Sequence, residues 1–228
     1  MIDYNLADAT ALGVALVAGE HKFMIAKSNA TDGSNYTLYW GKNLYGNDVA
    51  DVVTNGKVDG TNSYGYFGGT TTPQLNKDFT TWTAGALSDF NGKANTAAIA
   101  AASSDTGDMC TVLNTFNASD SYNDWYVPAC GQLALMYLNM TKIKAALTKI
   151  GGTALAAENY WSSSENSSTG AWRVNFGSGL VNNYRKDSAL RVRFVRDLII
   201  TKPLKEKVSE IESGLKDVEN NYVTTDTE

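Results

Sequence analysis

The chain has 228 residues, 43% of them apolar and 19% charged, with 12 Tyr and 20 Gly. That is enough for one domain of ordinary size plus an appendage, and too apolar for a disordered chain. A formal charge of -5 and a pI near 5.0 provide no electrostatic drive towards nucleic acid or anionic membrane; the one local basic cluster is Arg191, Arg193 and Arg196. No segment approaches the roughly 20 apolar residues that span a bilayer, and the start Met1-Ile2-Asp3-Tyr4 lacks the basic region of a secretion signal.

In chain order, Leu12–Val17 and Lys22–Ala26 read as two short strands turning through Gly19-Glu20, and Tyr36–Trp40 as a third. From Gly41 to about Thr83 the chain is dominated by Gly, Asn, Asp, Thr and Tyr without periodicity, which predicts long surface loops. Helix is predicted over the Ala-rich Lys93–Ala102, over Gly131–Asn139, and over Thr141–Ile150. In the last of these Ile143, Ala146, Leu147 and Ile150 share a face. Beyond Tyr160 the period falls from 3.6 to 2. Trp172, Val174 and Phe176 alternate with Arg173 and Asn175, as in a half-buried strand. Gly177–Gly179 predicts a turn, Leu180–Lys186 a returning strand, and Arg191–Arg196 a third, together a small antiparallel platform with a polar outer face.

The tail changes pattern again. Leu204, Val208, Ile211, Leu215, Val218 and Tyr222 are spaced 4, 3, 4, 3 and 4, the seam of a coiled coil entered through Pro203. Lys207 and Glu212 fall where opposite charges pair between helices, while Gly214 weakens the helix by about 1 kcal/mol. Two domains are therefore expected: a binding domain over 1–198 and an oligomerisation segment over 199–228. A homo-oligomer follows, with a trimer expected, although the seam residues match neither the dimer nor the trimer preference.

Catalytic patterns are sparse. His21 is the single histidine and has no nucleophile motif beside it. Gly65-Tyr-Phe-Gly-Gly69 does not sit between a strand and a helix, so it is no phosphate cradle. Asp120, Asp124, Glu158 and Glu165 could supply the paired carboxylates of a glycosidase if they lie within about 5–9.5 Å of one another. The 41–83 stretch has no Asp-x-Asp-x-Asp-Gly calcium loop. Cys110 and Cys130, with no histidine near, cannot assemble a zinc site and read as buried thiols or a single bridge. No cofactor or metal is called for.

Asp124-Trp-Tyr-Val-Pro128, Gly131-Gln-Leu133, Tyr160-Trp-Ser-Ser-Ser164, Ala171-Trp-Arg-Val-Asn-Phe176 with Gly179, and Arg191-Val-Arg-Phe-Val-Arg196 follow in this order. So arranged, the chain resembles the C-type-lectin-like domain of diversity-generating retroelement variable proteins and their phage and gut-bacterial relatives. Ala86–Thr96 is similar to a segment upstream in the same relatives. The resemblance implies an α+β, C-type-lectin-like fold with short antiparallel strands, two or more helices and long loops, the coiled-coil helix following it. It also implies a fixed framework of Trp161, Trp172, Val174, Phe176, Val192 and Phe194 beneath an exchangeable surface within 160–196. That surface would comprise Glu165, Asn166, Ser167, Arg173, Asn175, Ser178, Leu180, Asn182, Asn183, Tyr184, Arg185 and Asp187, a composition suited to hydrogen bonding and stacking on a ligand.

Two departures matter. Formylglycine-generating enzymes share this fold and depend on C-terminal cysteines, yet none follows Cys130. The Glu-Pro-Asn and Gln-Pro-Asp signatures of calcium-dependent lectins are absent, so sugar binding does not follow from the fold. The expected function is recognition of a host-cell surface protein or glycan, without catalysis. The expected place is a phage tail fibre or other virion adhesion protein, or a bacterial cell surface if a signal lies upstream. The rivals are a tail-associated glycan-degrading enzyme and a purely structural virion decoration.

Overall fold

The computed structural model describes residues 11–41, 64–103, 107–119 and 122–198. The chain divides into two units, 1–197 and 198–228, and of the second only Leu198 is described. All six heptad residues, Leu204 to Tyr222, lie outside the described residues, as do Asp120 and residues 42–63 of the loop-rich stretch.

The first hairpin forms where expected. Strands β1 (Gly13–Ala18) and β2 (His21–Ala26) pair antiparallel around Gly19, whose φ of +58° is one that glycine tolerates without strain. The free edge of β2 is then taken by β9 (Val195–Asp197), giving the order β1-β2-β9. The Tyr36–Trp40 strand shrinks to β3 (Leu38–Tyr39), which pairs away from the hairpin with β8 (Ala189–Leu190). The main sheet is antiparallel, in the order β4-β7-β6-β5, from β4 (Gly65–Tyr66), β5 (Asn159–Glu165), β6 (Gly170–Asn175) and β7 (Leu180–Arg185).

The platform of three successive strands is corrected here. Arg191–Arg196 does not lie beside β7. It touches β5 through one parallel bridge, Tyr160 to Arg191, and then crosses to β2 as β9. The reason is burial on both sides: Val192, Arg193, Phe194 and Val195 are all 0% exposed, so this stretch has no solvent face to alternate with. The Arg193 guanidinium is fixed inside by the carbonyls of Ala26 (2.8 Å) and Thr153 (2.6 Å), and burial lowers its pKa to about 10.

Four helices, α1 (Gly92–Ala102), α2 (Met109–Ser119), α3 (Cys130–Leu138) and α4 (Met140–Lys149), pack around the sheets. Three match the sequence reading. Helix α2 does not, although its signal is present. Asp108 Oδ1 accepts the N–H groups of Cys110 and Thr111 at 2.8 Å each, as an N-cap does, and Met109, Val112, Leu113 and Phe116 fall at i, i+3, i+4 and i+7. Helix α3 approaches the 3-10 turn Ala86–Ser88 through Gly131, where a Cβ would lie 2.5 Å from the carbonyl oxygen of Leu87. Cys110 and Cys130 are buried free thiols, and desolvation raises the pKa of each.

Two cores result, one on each side of the main sheet. Tyr160, Trp172, Val174, Phe176 and Val181 face the first, with Phe23, Ile25, Leu133, Ile143 and Leu147. Trp161 and Ala171 join the second, with Leu38, Trp40, Ile99, Met109, Val192 and Phe194. A buried polar hub ties the layers together. Asp89 accepts from Ser164 of β5 (2.6 Å), from the Asn95 amide of α1 (2.9 Å) and from the Asn91 N–H (2.9 Å), while Ser164 Oγ accepts the Cys130 N–H at the start of α3 (2.8 Å).

His21 opens β2 and stacks on Phe90 at 3.6 Å between ring centroids, and burial lowers its pKa against a smaller opposing effect of Glu20. The unfolded chain therefore binds the His21 proton more tightly than the folded one. The linked stability is complete above the unfolded value of about 6.5 and is lost as pH falls from there through the folded value. His21→Phe, which keeps the ring contact, should flatten the loss of urea stability in that window; an unchanged slope would contradict the assignment.

Candidate functional site

The candidate site is built on β6 and β7, whose register sets which side chains share a side. Trp161, Arg173 and Asn182 lie in one row, and Glu165, Ala171 and Tyr184 in the next, on the side away from the first core. Along both rows burial falls from β5 to β7. Trp161, Glu165 and Ala171 are 0% exposed, Arg173 and Asn182 are half-buried, and Tyr184 is 45% exposed. The second core thus covers the β5 half of this side and leaves the β7 half open.

The open half carries a joined group of three side chains. Arg173 donates through Nε to Asn182 Oδ1 at 2.8 Å, and its guanidinium lies 4.0 Å from the centroid of the Tyr184 ring. Burial lowers the Arg173 pKa, with a smaller raising effect from Tyr184. A guanidinium gripped on one edge and stacked on one face has lost most of its rotational freedom before any ligand arrives.

The twelve residues expected on one exposed surface divide between different places. Arg173, Asn182 and Tyr184 come together as above, with Leu180 half-buried on the same side, opposite Tyr66 of β4. Asn183 and Arg185 sit in the rows of Trp172 and Gly170 and so point to the other side, where β7 runs past the first core. There Asn183 donates to Asn166 (2.7 Å) and Arg185 grips Asp187 through Nε (3.0 Å) and Nη2. Asn175 and Ser178 are spent on the β6–β7 turn: Asn175 Oδ1 accepts the N–H groups of Gly177 and Ser178 at 2.8 Å each and the Ser178 hydroxyl at 3.1 Å. Ser167 is half-buried in the β5–β6 turn, where its N–H bonds the Gly170 carbonyl.

Glu165 is a correction. Expected on the exposed surface, it has a fully buried side chain, ion-paired with the equally buried Lys186. Lys186 also donates to the Ser168 carbonyl (3.0 Å) and lies 4.6 Å from the Trp40 ring, whose indole N–H bonds the Ser162 carbonyl (2.8 Å). The resemblance placed Glu165 at the surface, but β5 is covered on both sides, with every residue from Tyr160 to Glu165 buried, and it carries a bulge. Trp161 and Glu165 pair with Arg173 and Ala171, so four residue steps on β5 span two on β6.

Of the four carboxylates weighed as an acid-base pair, Asp120 lies outside the described residues and the other three are each committed to a cation: Glu165 to Lys186, Glu158 to Arg191 (2.8 and 3.0 Å), and Asp124 to Arg196 (2.9 Å). The Arg191 bond also lowers the Glu158 pKa. Glu158 adjoins the start of β5 and Glu165 ends it, roughly 20 Å apart at strand rise, well beyond the separation that glycoside hydrolysis uses. Among the described residues no group of three or more His, Cys, Asp and Glu could hold a metal ion, and no helix is long and apolar enough to cross a membrane.

A second feature was not indicated by any motif. A cleft of about 350 Å³ is lined by Glu20, His21, Lys22, Phe90, Lys93, Tyr126, Gln132 and Asp197 among others. Its floor is Tyr126, whose hydroxyl donates to Asp197 (2.7 Å), accepts from Gln132 (3.0 Å), and is held above its ordinary pKa by burial.

Residues 36–196 match the family described as the Lcl C-terminal domain. The chain belongs to that family, the C-type-lectin-like group that the tryptophan-bearing segments resemble. No curated protein matches the sequence. Among solved structures, the chain is similar to a fimbrial protein from Bacteroides ovatus. The two are 16% identical with a TM-score of 0.47, over 78% of this chain and 36% of that one, so this chain spans about a third of that protein's length.

Because Lys186 and Glu165 neutralise each other without water, Lys186→Met strands a buried carboxylate and should cost about 3–5 kcal/mol, read by urea denaturation. The double change Lys186→Met with Glu165→Gln should cost less than Lys186→Met alone. Losses that simply add, the double change costing the sum of the two single changes, would show that the two side chains are not coupled.

Proposed function

We propose that this chain is a recognition domain of C-type-lectin-like fold that binds a host-surface ligand through the open side of β6 and β7. The observation that carries this reading is the joined group Arg173, Asn182 and Tyr184. It stands on rigid strands whose opposite side is locked into the first core by Trp172, Val174 and Val181. A surface held this way can change its side chains without changing its fold, and it presents donors and an aromatic ring already in place. Membership in the Lcl C-terminal domain family supports an adhesin-type role.

On this reading Asn183, Arg185, Asn166 and Asp187 form a secondary patch at the end of β7, and Glu165 supports the surface from beneath. The heptad residues Leu204, Val208, Ile211, Leu215, Val218 and Tyr222 would gather several copies, and avidity would then raise weak single-site binding without new contacts. The setting is an external adhesive assembly, a virion fibre or a cell-surface structure.

Asn182→Ala with Tyr184→Ala should lower binding of the full chain to host cells by about a hundredfold or more while leaving the thermal midpoint nearly unchanged, since both side chains reach solvent. Cell binding that survives the double change would contradict the role of this side of the sheet.

A further inference from the structure

We infer that the free edge of β1 is a self-association site, to which a second copy of this chain adds its own β1 in antiparallel pairing. The site lies on a different sheet from β6 and β7, so it stands whether or not the recognition role does.

The two larger sheets have four edges, and three are closed by backbone bonds. On β9, Val195 exchanges two bonds with Tyr126 (2.7 and 2.9 Å). On β4, the Tyr66 N–H donates to Pro73 (2.9 Å) and its carbonyl accepts from Leu75 (2.8 Å). On β5, the Trp161 N–H donates to Arg191 (2.9 Å) and the Ser163 N–H to Pro128 (2.8 Å). The fourth edge is β1. Leu12 accepts the Lys27 N–H at 3.0 Å, one step beyond the Gly13–Ala26 pair. Leu12, Val14, Leu16 and Ala18 therefore turn their backbone groups to β2, and Gly13, Ala15 and Val17 turn theirs outward. Among the described residues no backbone bond reaches these outward groups.

Bare edges are usually blunted by a lysine, a proline or a bulge. Gly13–Ala18 has no lysine or proline, and its ladder to β2 runs without a register shift. Ala15 and Val17 are exposed, Val17 by 57%. Helix α4 meets β1 on the core side, where Val14 and Leu16 pack with Ile143 and Leu147, and so leaves the edge open.

The edge complements itself. Antiparallel pairing about a two-fold axis at Ala15 sets Ala15 opposite Ala15, and Gly13 of each copy opposite Val17 of the other. This register engages all three outward residues of both copies, with two bonds at each pair. Each Val17 then faces a residue without a side chain, and no charge stands opposite another between 13 and 17. A foreign strand would find neither a charge nor a bulky side chain here to select it, whereas a second copy brings the matching order of small and large residues.

The test is disulfide trapping of the full chain under mild oxidation. In the proposed pairing the two Ala15 Cα atoms stand about 5.5 Å apart, within disulfide reach, while the two Val17 residues are offset by about 13 Å along the strands. Ala15→Cys should therefore give a covalent dimer and Val17→Cys little or none; Cys110 and Cys130 are buried and stay out of the reaction. In sedimentation equilibrium, Val17→Lys should weaken self-association about tenfold, because the two-fold axis counts the change twice, with the thermal midpoint nearly unchanged. No dimer from Ala15→Cys, or equal dimer from both cysteine variants, would overturn the inference. So would a mass that Val17→Lys does not move, the result expected if residues 199–228 alone hold the copies together.

Discussion

The organisation of this domain depends on a charge pair that never meets water. Glu165 ends β5 and Lys186 follows β7, so the pair joins the two outer strands of the β5-β6-β7 run at the end where the exposed turns begin. Backbone bonds close the same corner: the Lys186 N–H donates to the Thr169 carbonyl, and the Lys186 carbonyl accepts from Trp40. A buried pair of this kind adds little net stability compared with apolar residues of the same size, but it penalises every arrangement in which one partner is buried alone. It therefore acts mainly on register. Tyr184 and Arg185 stand two and one residues before Lys186, so the side to which each points is set by where Lys186 is anchored.

The same corner explains why the open surface is small. The second core covers Trp161 of β5 and Ala171 of β6 and stops at Arg173. What remains open is a narrow strip on β7 and the edge of β6, whose polar groups are already bonded to one another. On the proposed reading such a strip would bind by presenting fixed donors rather than by burying a large area, and several weak contacts on one particle would suit it.

Much of this was legible in the sequence, and the failures have physical causes. The β1–β2 hairpin, α1, α3 and α4 announced themselves through alternation, alanine content and the Ile143–Ile150 stripe. All six framework residues, from Trp161 to Phe194, are buried. Alternation misled where both sides of a strand are covered. In β5 every residue from Tyr160 to Glu165 is buried, so period 2 carries no information there. It misled again at Arg191–Arg196, where a stretch that reads as a strand crosses between sheets and buries a guanidinium. Helix α2 was missed although Asp108 and the Met109–Phe116 spacing mark it. The joining of Arg173 to Asn182 and Tyr184 could not be read from the chain, because it follows from a cross-strand register.

The central claim is that fold and recognition are carried by different residues on the same strands. A saturation library over residues 159–197, sorted once for folded protein and once for host-cell binding, tests it most directly. The account predicts that Trp161, Glu165, Trp172, Val174 and Lys186 are lost in the folding sort, whereas Arg173, Asn182 and Tyr184 pass it with many substitutions and fail only in the binding sort. If substitutions at Arg173, Asn182 and Tyr184 eliminated folded protein as often as those at Trp172, or passed both sorts freely, the claim would be wrong.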